Sequence, residues 1–238
     1  MPTMLTLGVQ PRRDPKALFS GLLVATVDDV PAAEALPSHP LIGSACVPAA
    51  ALGEARVSEG HLVRLDRDPA ELPPARAYVL DVQSDQLVDA VALDAGSPLV
   101  VLCRDGDIVE TTTRVDQAGH HPAVDMADTE DRVADFLAVI AHAEHGFFAV
   151  AADADAALAL VAGTVAALRG DDVRQALRAP DLRKLLSLHP DAAAATREVL
   201  LGVLVPDAPS VAADLGRRID HVQDDNRSPF RSSTAQDA

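Results

Sequence analysis

Histidine and acidic side chains between positions 120 and 145 form the densest group of potential metal ligands in the sequence. Imidazole and carboxylate groups together are ligands that zinc and iron sites use. The group therefore predicts a divalent-metal site, whose candidate ligands are His120, His121, Asp125, His142 and His145. Neither an HExxH sequence nor a paired CxxC sequence accompanies them, so the spacing matches no established zinc motif.

A structural interpretation of the same histidines stays open beside the metal site, and we favour it. At about 100° per residue, His142 falls opposite Val133 on a helix, on the solvent side of an amphipathic pattern. Gly146 is then expected just past the helix end, where polar and cationic side chains of the last turn complement the helix dipole. The neighbouring pair His120 and His121 is expected in an exposed linker.

Cys46 is the candidate for nucleophilic catalysis, because it closes an apolar segment and precedes an alanine-rich stretch that is expected to begin a helix. A helix N-terminus stabilises a thiolate, and His39 or His61 is available as a base if the fold brings it near. The alternative, which we favour, is a buried strand cysteine that behaves as a small hydrophobic residue. Cys103, inside an apolar run, is expected in the core.

Five aspartates end or follow the apolar segments predicted as strands: Asp28, Asp29, Asp81, Asp153 and Asp155. Ligands of parallel α/β sheets bind at the carboxyl ends of the strands, so these residues predict an acidic crest that can hold Mg²⁺ through oxygen ligands. Each aspartate is also an ordinary helix cap or turn residue, and we favour that role. Gly-rich phosphate loops and a GxSxG elbow are both missing from the sequence.

The elements that must position these residues begin with a strand, helix and strand in succession. Residues 21–27 form a continuous apolar, β-branched run of the kind that fills a strand buried on both faces. Asp28 or Asp29 is the expected N-cap of a short helix, and Pro31 suits its first turn. Residues 41–47 then predict the second strand.

The same order recurs twice along the chain. Residues 78–82 predict a strand, Ser84 the cap of a helix, and residues 99–103 a further strand. In the third case, residues 147–151 lead through an aspartate cap into a helix that is expected to end near Gly170. Strands that alternate with helical patterns predict an α/β fold with a mostly parallel sheet flanked by helices.

Two departures from this order are expected. The dipeptide Asp105-Gly106 separates residues 99–103 from residues 108–115 and predicts a β-hairpin, so the sheet is expected to be mixed, with one antiparallel edge. Further along, apolar residues recur at helical spacing and prolines separate the segments, which predicts a helix-rich C-terminal half with helices over residues 182–188, 192–204 and 211–222.

These patterns divide the chain into four parts. We predict an N-terminal arm over residues 1–17, an α/β domain over 18–122, a helix-rich domain over 123–223 with one strand near 147–151, and a disordered tail over 224–238. The tail is polar and lacks periodicity, which is typical of disorder.

Composition excludes several functions. A formal charge of −16 leaves little to neutralise phosphates, so we expect no nucleic-acid binding and no attraction to anionic membranes. Charges interrupt the longest apolar region, so no membrane-spanning helix is expected. Only two cysteines are present, too few for a disulfide framework, which favours a reducing, cytoplasmic location.

Two functions remain open, and the sequence leaves undecided whether the chain is an enzyme. The absence of strong catalytic motifs favours a regulatory protein that associates with a partner or a second copy. Its surface would be an apolar stripe in the C-terminal helices, formed by Val211, Leu215, Ile219 and Val222. The alternative is a divalent-metal hydrolase that uses the acidic crest or the histidine group. No cofactor is predicted apart from that metal.

Overall fold

Eight parallel strands close into a barrel in the order of the sequence. The computed structural model describes residues 16–52, 60–68 and 75–227. Each strand pairs with its neighbours in the chain, and the first pairs with the last, so the sheet closes on itself. The strands are β1 (Leu23–Thr26), β2 (Ile42–Pro48), β3 (Leu62–Arg64), β4 (Ala77–Val82), β5 (Leu99–Cys103), β6 (His121–Asp125), β7 (Phe147–Val150) and β8 (Leu200–Val205).

Helices cover the outside of the barrel and follow β1 and each of the strands from β4 to β8. This arrangement is that of a (β/α)₈-type barrel. Its helices are α1 (Val30–Glu34), α2 (Leu87–Val91), α3 (Ile108–Gln117), α4 (Glu130–Ile140), α5 (Ala154–Arg169), α6 (Val173–Arg178), α7 (Leu182–Leu186), α8 (Pro190–Val199) and α9 (Ala208–Arg227). Among the helices of the described ranges, none has the length and apolarity needed to cross a bilayer.

The predicted successions of strand and helix are confirmed, and so are the aspartate caps, but the predicted cap at Ser84 is wrong, because Ser84 lies inside a 3₁₀ turn whose N-cap is Gln83. Asp29 caps α1 by accepting a hydrogen bond of 2.7 Å from the backbone N–H of Ala32, and a proline occupies the first turn. Asp153 caps α5 in the same way, and α5 ends where Gly170 adopts a left-handed φ of 72°. Short polar caps and a terminal glycine satisfy the backbone groups that a helix leaves unpaired.

The predicted hairpin at Asp105-Gly106 is wrong, because residues 108–117 form helix α3 instead of a strand. Gly106 does turn the chain, with a φ of 77°. Asp107 then caps α3 by accepting hydrogen bonds from the two backbone N–H groups of Val109 and Glu110. Buried residues along this segment recur at i, i+3, i+4 and i+7, which is the helical period: Ile108, Thr111, Thr112 and Val115. All pairings among the described strands are parallel, so the expected antiparallel edge is wrong as well.

Helices flank the strands along the whole chain and are not confined to the C-terminal half, although six of the nine α-helices in the described ranges begin after residue 122. The boundary predicted at residue 122 lies inside β6, which pairs with β5 on one side and β7 on the other. The helix predicted over residues 192–204 ends at Val199 and gives way to β8. The six residues of β8 are apolar and almost wholly buried, because they are covered both inside and outside the barrel.

Both predicted terminal segments fall largely outside the described residues. Residues 1–15 of the predicted arm lie there, whereas Leu18 and Phe19 are buried in the core. The predicted tail begins within α9, which continues to Arg227, and residues 228–238 lie outside the description.

Two apolar regions stabilise the barrel. The outer faces of the strands pack against the helices through residues such as Phe136, Leu160 and Ile219, each with 0% exposure. Inside the barrel, alternate strand positions point inward, and the middle of the interior is apolar. These inward residues are Val24, Cys46, Leu62, Ala77, Val79, Val100, Leu102, Ala123, Phe148 and Leu204.

Candidate functional site

Charged residues face inward at the carboxyl end of the barrel. Arg64, Asp81 and Asp125 each stand two positions beyond an apolar inward residue of β3, β4 or β6. Arg104 stands in the same relation to Leu102 of β5 and directly follows that strand. Because side chains of a strand alternate between its faces, these four point into the mouth of the barrel.

Arg104 lies between the two carboxylates and joins them. It donates from Nε to Asp81 Oδ1 at 2.8 Å, from Nη2 to Asp81 Oδ2 at 2.6 Å and from Nη1 to Asp125 Oδ2 at 2.6 Å. The hydrogen bond with Asp81 is the largest cause that raises the pKa of Arg104, and the bond with Asp125 acts in the same direction. The guanidinium therefore stays charged.

Asp125 is the more enclosed and more firmly held of the two carboxylates. Its side chain is 18% exposed, against 49% for Asp81. Asp125 Oδ1 accepts a hydrogen bond of 2.9 Å from the backbone N–H of Ala127, so the loop after β6 fixes the carboxylate from one side while Arg104 fixes it from the other.

Arg132 of α4 ties together the loops that border this mouth. It pairs with Asp128 at 3.2 Å and donates to the backbone carbonyls of Cys103 and Gly106 at 3.1 and 2.7 Å. The loop after β5, which carries Arg104, is therefore anchored to the loop after β6, which follows Asp125. A rigid support of this kind keeps a site close to one geometry.

The mouth offers proton acceptors and a cation that is open to a ligand. A carboxylate presents about four lone-pair positions, so Asp81 and Asp125 can accept further hydrogen bonds beyond those from Arg104. Arg64 is exposed, and its side chain forms no hydrogen bond or ion pair with the described residues. Its guanidinium is therefore available to bind a carboxylate or phosphate group.

Cys46 lies one layer below this mouth, inside the barrel, and is 2% exposed. Burial raises the pKa of its thiol to about 12, although the positive charge of Arg64 acts in the opposite direction. A neutral, shielded thiol is a poor nucleophile. The structure thus places Cys46 in the barrel packing, and Cys103 is buried as well.

The five aspartates of the predicted acidic crest do not meet at one point. Asp81 faces the barrel mouth, whereas Asp29 and Asp153 are helix caps. Asp155 pairs with Arg218 of α9, and this hydrogen bond lowers the pKa of Asp155. The remaining member, Asp28, is exposed at the end of the first strand.

The predicted metal ligands lie at opposite ends of the barrel. Asp125 ends β6 at the carboxyl mouth, and His121 begins the same strand at the amino end. His120 contacts the backbone of Leu99 and Val91 through its two ring nitrogens. Within the described ranges, no group of three or more histidine, cysteine or acidic side chains is arranged to hold a metal ion.

The remaining two histidines border a groove of about 910 Å³ between α3 and α4, on the outside of the barrel. His142 follows the end of α4, and Nδ1 of His145 lies 3.0 Å from Asp116 Oδ1. Asp116 also accepts hydrogen bonds from the backbone N–H groups of Glu144 and His145. Because its oxygens bind this loop, Asp116 has a structural role.

Sequence reasoning missed Arg64 and Arg104. Both arginines stand at the carboxyl end of an apolar strand, the position that singled out the aspartates, so the same signal identifies them.

No family model matches the chain, and neither a curated protein nor a solved structure matches it significantly. The site must therefore be interpreted from its own residues.

Proposed function

We propose that this chain is an enzyme that binds a small polar substrate with an anionic group in the carboxyl mouth of the barrel and transfers a proton there. The observation that carries this proposal is the Arg104 guanidinium held between Asp81 and Asp125 at 2.6 Å from each. Two carboxylates fixed by one cation form a preorganised polar site.

The position of the charged residues supports this proposal. Packing of a barrel interior requires apolar side chains, and the middle of this one is apolar. Charged inward residues at the carboxyl end add nothing to that packing. In barrels of this kind the ligand sites lie at the carboxyl ends of the strands, although the fold alone does not specify a reaction.

Each residue has a distinct part in the proposed reaction. Arg64 binds the anionic group of the substrate, since its guanidinium has no partner among the described side chains. Asp125 is the general base and takes a proton from the substrate, while the charge left on the substrate is neutralised by Arg64 and by the remaining N–H groups of Arg104. Arg104 thus contacts the substrate and also holds Asp125, whereas Asp81 is a positioning residue that orients Arg104.

This proposal departs from both functions suggested by the sequence. A divalent metal at Asp81 and Asp125 would have to displace Arg104, which already supplies a positive charge between them. The stripe proposed for association is buried in the chain's own core, with Val211, Leu215 and Ile219 at most 5% exposed. Metal binding and association stay proposals that no contact among the described residues supports. A cytoplasmic location also stays a proposal.

A ligand screen tests the proposed site. We expect small carboxylates to raise the melting temperature of the full chain, and the shift to disappear in Arg64→Ala. Arg178→Ala is the matched control, because Arg178 is an exposed arginine of α6 that pairs with Glu130. For a ligand that is also converted, Asp125→Asn should retain binding and lose turnover by at least about a hundredfold, the scale of general base catalysis. Ligands whose effect survives Arg64→Ala and turnover that survives Asp125→Asn would overturn the proposal.

A further inference from the structure

The amino end of the barrel interior differs in chemistry from the carboxyl mouth. Ser44, Ala77, His121 and Gly202 occupy the inward positions at the starts of the four even-numbered strands. Gly202 admits the Phe148 ring, since a Cβ at position 202 would lie 3.0 Å from that ring and 2.9 Å from a methyl group of Val24. Val24 in turn is the register partner of Ser44. Gly202 and Val24 therefore lie against the Phe148 ring, and Ser44 stands beside Val24 on the neighbouring strand.

Ser44 carries a buried hydroxyl without a partner. The residue is 5% exposed, and its Oγ forms no hydrogen bond with the described residues. A buried hydroxyl that loses its water contacts without a replacement costs about 1–3 kcal/mol, so most such groups in folded proteins are paired. The orphan hydroxyl indicates a ligand atom or a water molecule at this end of the barrel.

Two arginines approach the same end of the barrel. The guanidinium carbon of Arg76 lies 5.9 Å from the centre of the Phe148 ring. Arg197 donates to the backbone carbonyls of Leu200 and Gly21, which begin β8 and precede β1. Neither arginine forms an ion pair with a described carboxylate, although the chain contains 36 acidic residues.

The charges of the two arginines act on each other. Burial is the main cause that lowers the pKa of Arg197, and the charge of Arg76 lowers it further. Arg76 is exposed and Arg197 is half-buried, so solvent screens part of the repulsion between their charges. An anion bound between them removes this repulsion.

His121 adds a hydrogen-bond acceptor to the cluster. Its ring lies edge-on to Phe148 at 5.8 Å, and its Nδ1 donates to the carbonyl of Gly146 at 2.8 Å. A neutral imidazole that donates from Nδ1 presents Nε2 as an acceptor. Nε2 of His121 has no hydrogen-bond partner within the described ranges. A ligand that still carries an acidic proton satisfies this nitrogen, whereas a fully deprotonated anion does not.

We infer that the amino end of the barrel binds a phosphate group, with Arg76 and Arg197 neutralising its charge, the Ser44 hydroxyl donating to it, and Nε2 of His121 accepting its proton. Monohydrogen phosphate matches these four groups, whereas a phosphate monoester at neutral pH is mainly the dianion and has no proton to donate to Nε2. Sulfate has the same charge and shape but lacks the proton at neutral pH. This site lies at the opposite end of the barrel from Asp125 and does not depend on the proposed reaction.

Titration calorimetry of the full chain with inorganic phosphate, glycerol phosphate and sulfate at constant ionic strength tests the inference. At pH 7 we expect saturable binding of phosphate, with sulfate and glycerol phosphate each at least about tenfold weaker, because neither carries an acidic proton at that pH. Arg76→Gln and Ser44→Ala should each weaken phosphate binding about tenfold or more. Arg178→Gln, on the outer surface, should leave it unchanged.

Arg76→Gln is the deciding variant, because the Arg76 side chain forms no hydrogen bond that folding requires among the described residues. Arg197 also holds two backbone carbonyls, so its replacement can lower stability for a separate reason. The inference is overturned if the wild type shows no saturable binding, if Arg76→Gln binds phosphate as tightly as the wild type, or if sulfate binds as well as phosphate. Glycerol phosphate that binds as tightly as free phosphate at pH 7 would also overturn the inference, because Nε2 of His121 would then accept no proton from the ligand.

Discussion

Arg104 binds Asp81 through two parallel hydrogen bonds, from Nε at 2.8 Å and from Nη2 at 2.6 Å. A bidentate pair of this kind fixes the plane of the guanidinium and not only its distance from the carboxylate. The two residues stand on neighbouring strands, since β4 and β5 pair with Asp81 opposite Leu102. The fixed plane directs Nη1 at Asp125, so the register of two strands determines how the third residue is held.

Arg104→Lys should separate the positioning role of Arg104 from its charge. A lysine keeps the positive charge but cannot form the two parallel bonds. Because Arg104 is 39% exposed, we expect a loss of no more than about 1 kcal/mol in the free energy of unfolding measured in urea. Expressed as free energies, the losses in ligand affinity and in turnover at the mouth should exceed this loss in stability. Arg114→Lys, which changes an exposed arginine paired with Glu110, is the control. Unchanged turnover in Arg104→Lys would show that the guanidinium geometry has no part in the reaction.

Ile219→Ala should destabilise the single chain rather than separate two copies. Ile219 of α9 is 0% exposed and packs in the core between the helices and the barrel. Removing its side chain leaves a cavity, which costs about 2–5 kcal/mol in unfolding free energy. Light scattering combined with urea unfolding distinguishes the outcomes, with Arg217→Ala as the exposed control on the same helix. A dimer that dissociates without loss of monomer stability would instead support association through this stripe.

The folded protein should lose stability as the pH falls through the range in which His121 titrates. Burial is the largest cause that lowers the pKa of His121 from 6.5, and the nearby charges of His145, Arg76 and His120 act in the same direction. The unfolded chain therefore binds this proton at a higher pH than the folded chain does. The contribution of His121 to the free energy of unfolding is complete above about pH 6.5. It decreases as the pH falls from there to the pKa of His121 in the folded chain, and it stays constant below that pKa.

His121→Asn should reduce the slope of stability against pH in urea unfolding between about pH 7 and 5. Part of the slope remains, because burial also lowers the pKa of His61. His189→Gln serves as the control, since His189 is 71% exposed. A slope that is the same in His121→Asn and in the wild type would contradict this assignment.

Cys46 should resist alkylation in the native protein at neutral pH. Burial raises the pKa of its thiol to about 12, and the residue is 2% exposed. Both effects slow iodoacetamide, because the reagent attacks the thiolate and must reach it. Mass spectrometry should show alkylation only at the rate of unfolding, and urea should accelerate it. Modification of Cys46 at the rate of a free cysteine would instead support the hypothesis that Cys46 is a nucleophile.

Local patterns in the sequence predict several elements of this fold. Asp29 and Pro31 mark the start of α1, and Asp153 and Gly170 mark the two ends of α5, because caps act within one helical turn. Strand β8 was missed for a related reason. A run of six apolar residues is compatible with a buried helix as well as a buried strand, and only the barrel around it selects the strand.

The candidate site depends on contacts that local patterns do not contain. Asp81 and Asp125 belonged to two different hypotheses, the acidic crest and the histidine group, yet both bind Arg104. They meet because β4, β5 and β6 are neighbours in the sheet. His121 and Asp125 are only four residues apart but stand at opposite ends of β6, since an extended strand advances about 3.3 Å per residue.

The pairing of β1 with β8 has a consequence for how the nascent chain folds on the ribosome. The first strand pairs with the last through Leu23, Val24 and Ala25 opposite Val203, Leu204 and Val205. All the other strands lie between these two in the sequence. Until the last strand has been synthesised, one edge of β1 and one edge of β7 expose unpaired backbone groups, which are templates for aggregation. A circularly permuted gene that starts between two other strands would move this interval of exposure to a different pair of strands and leave the finished barrel the same.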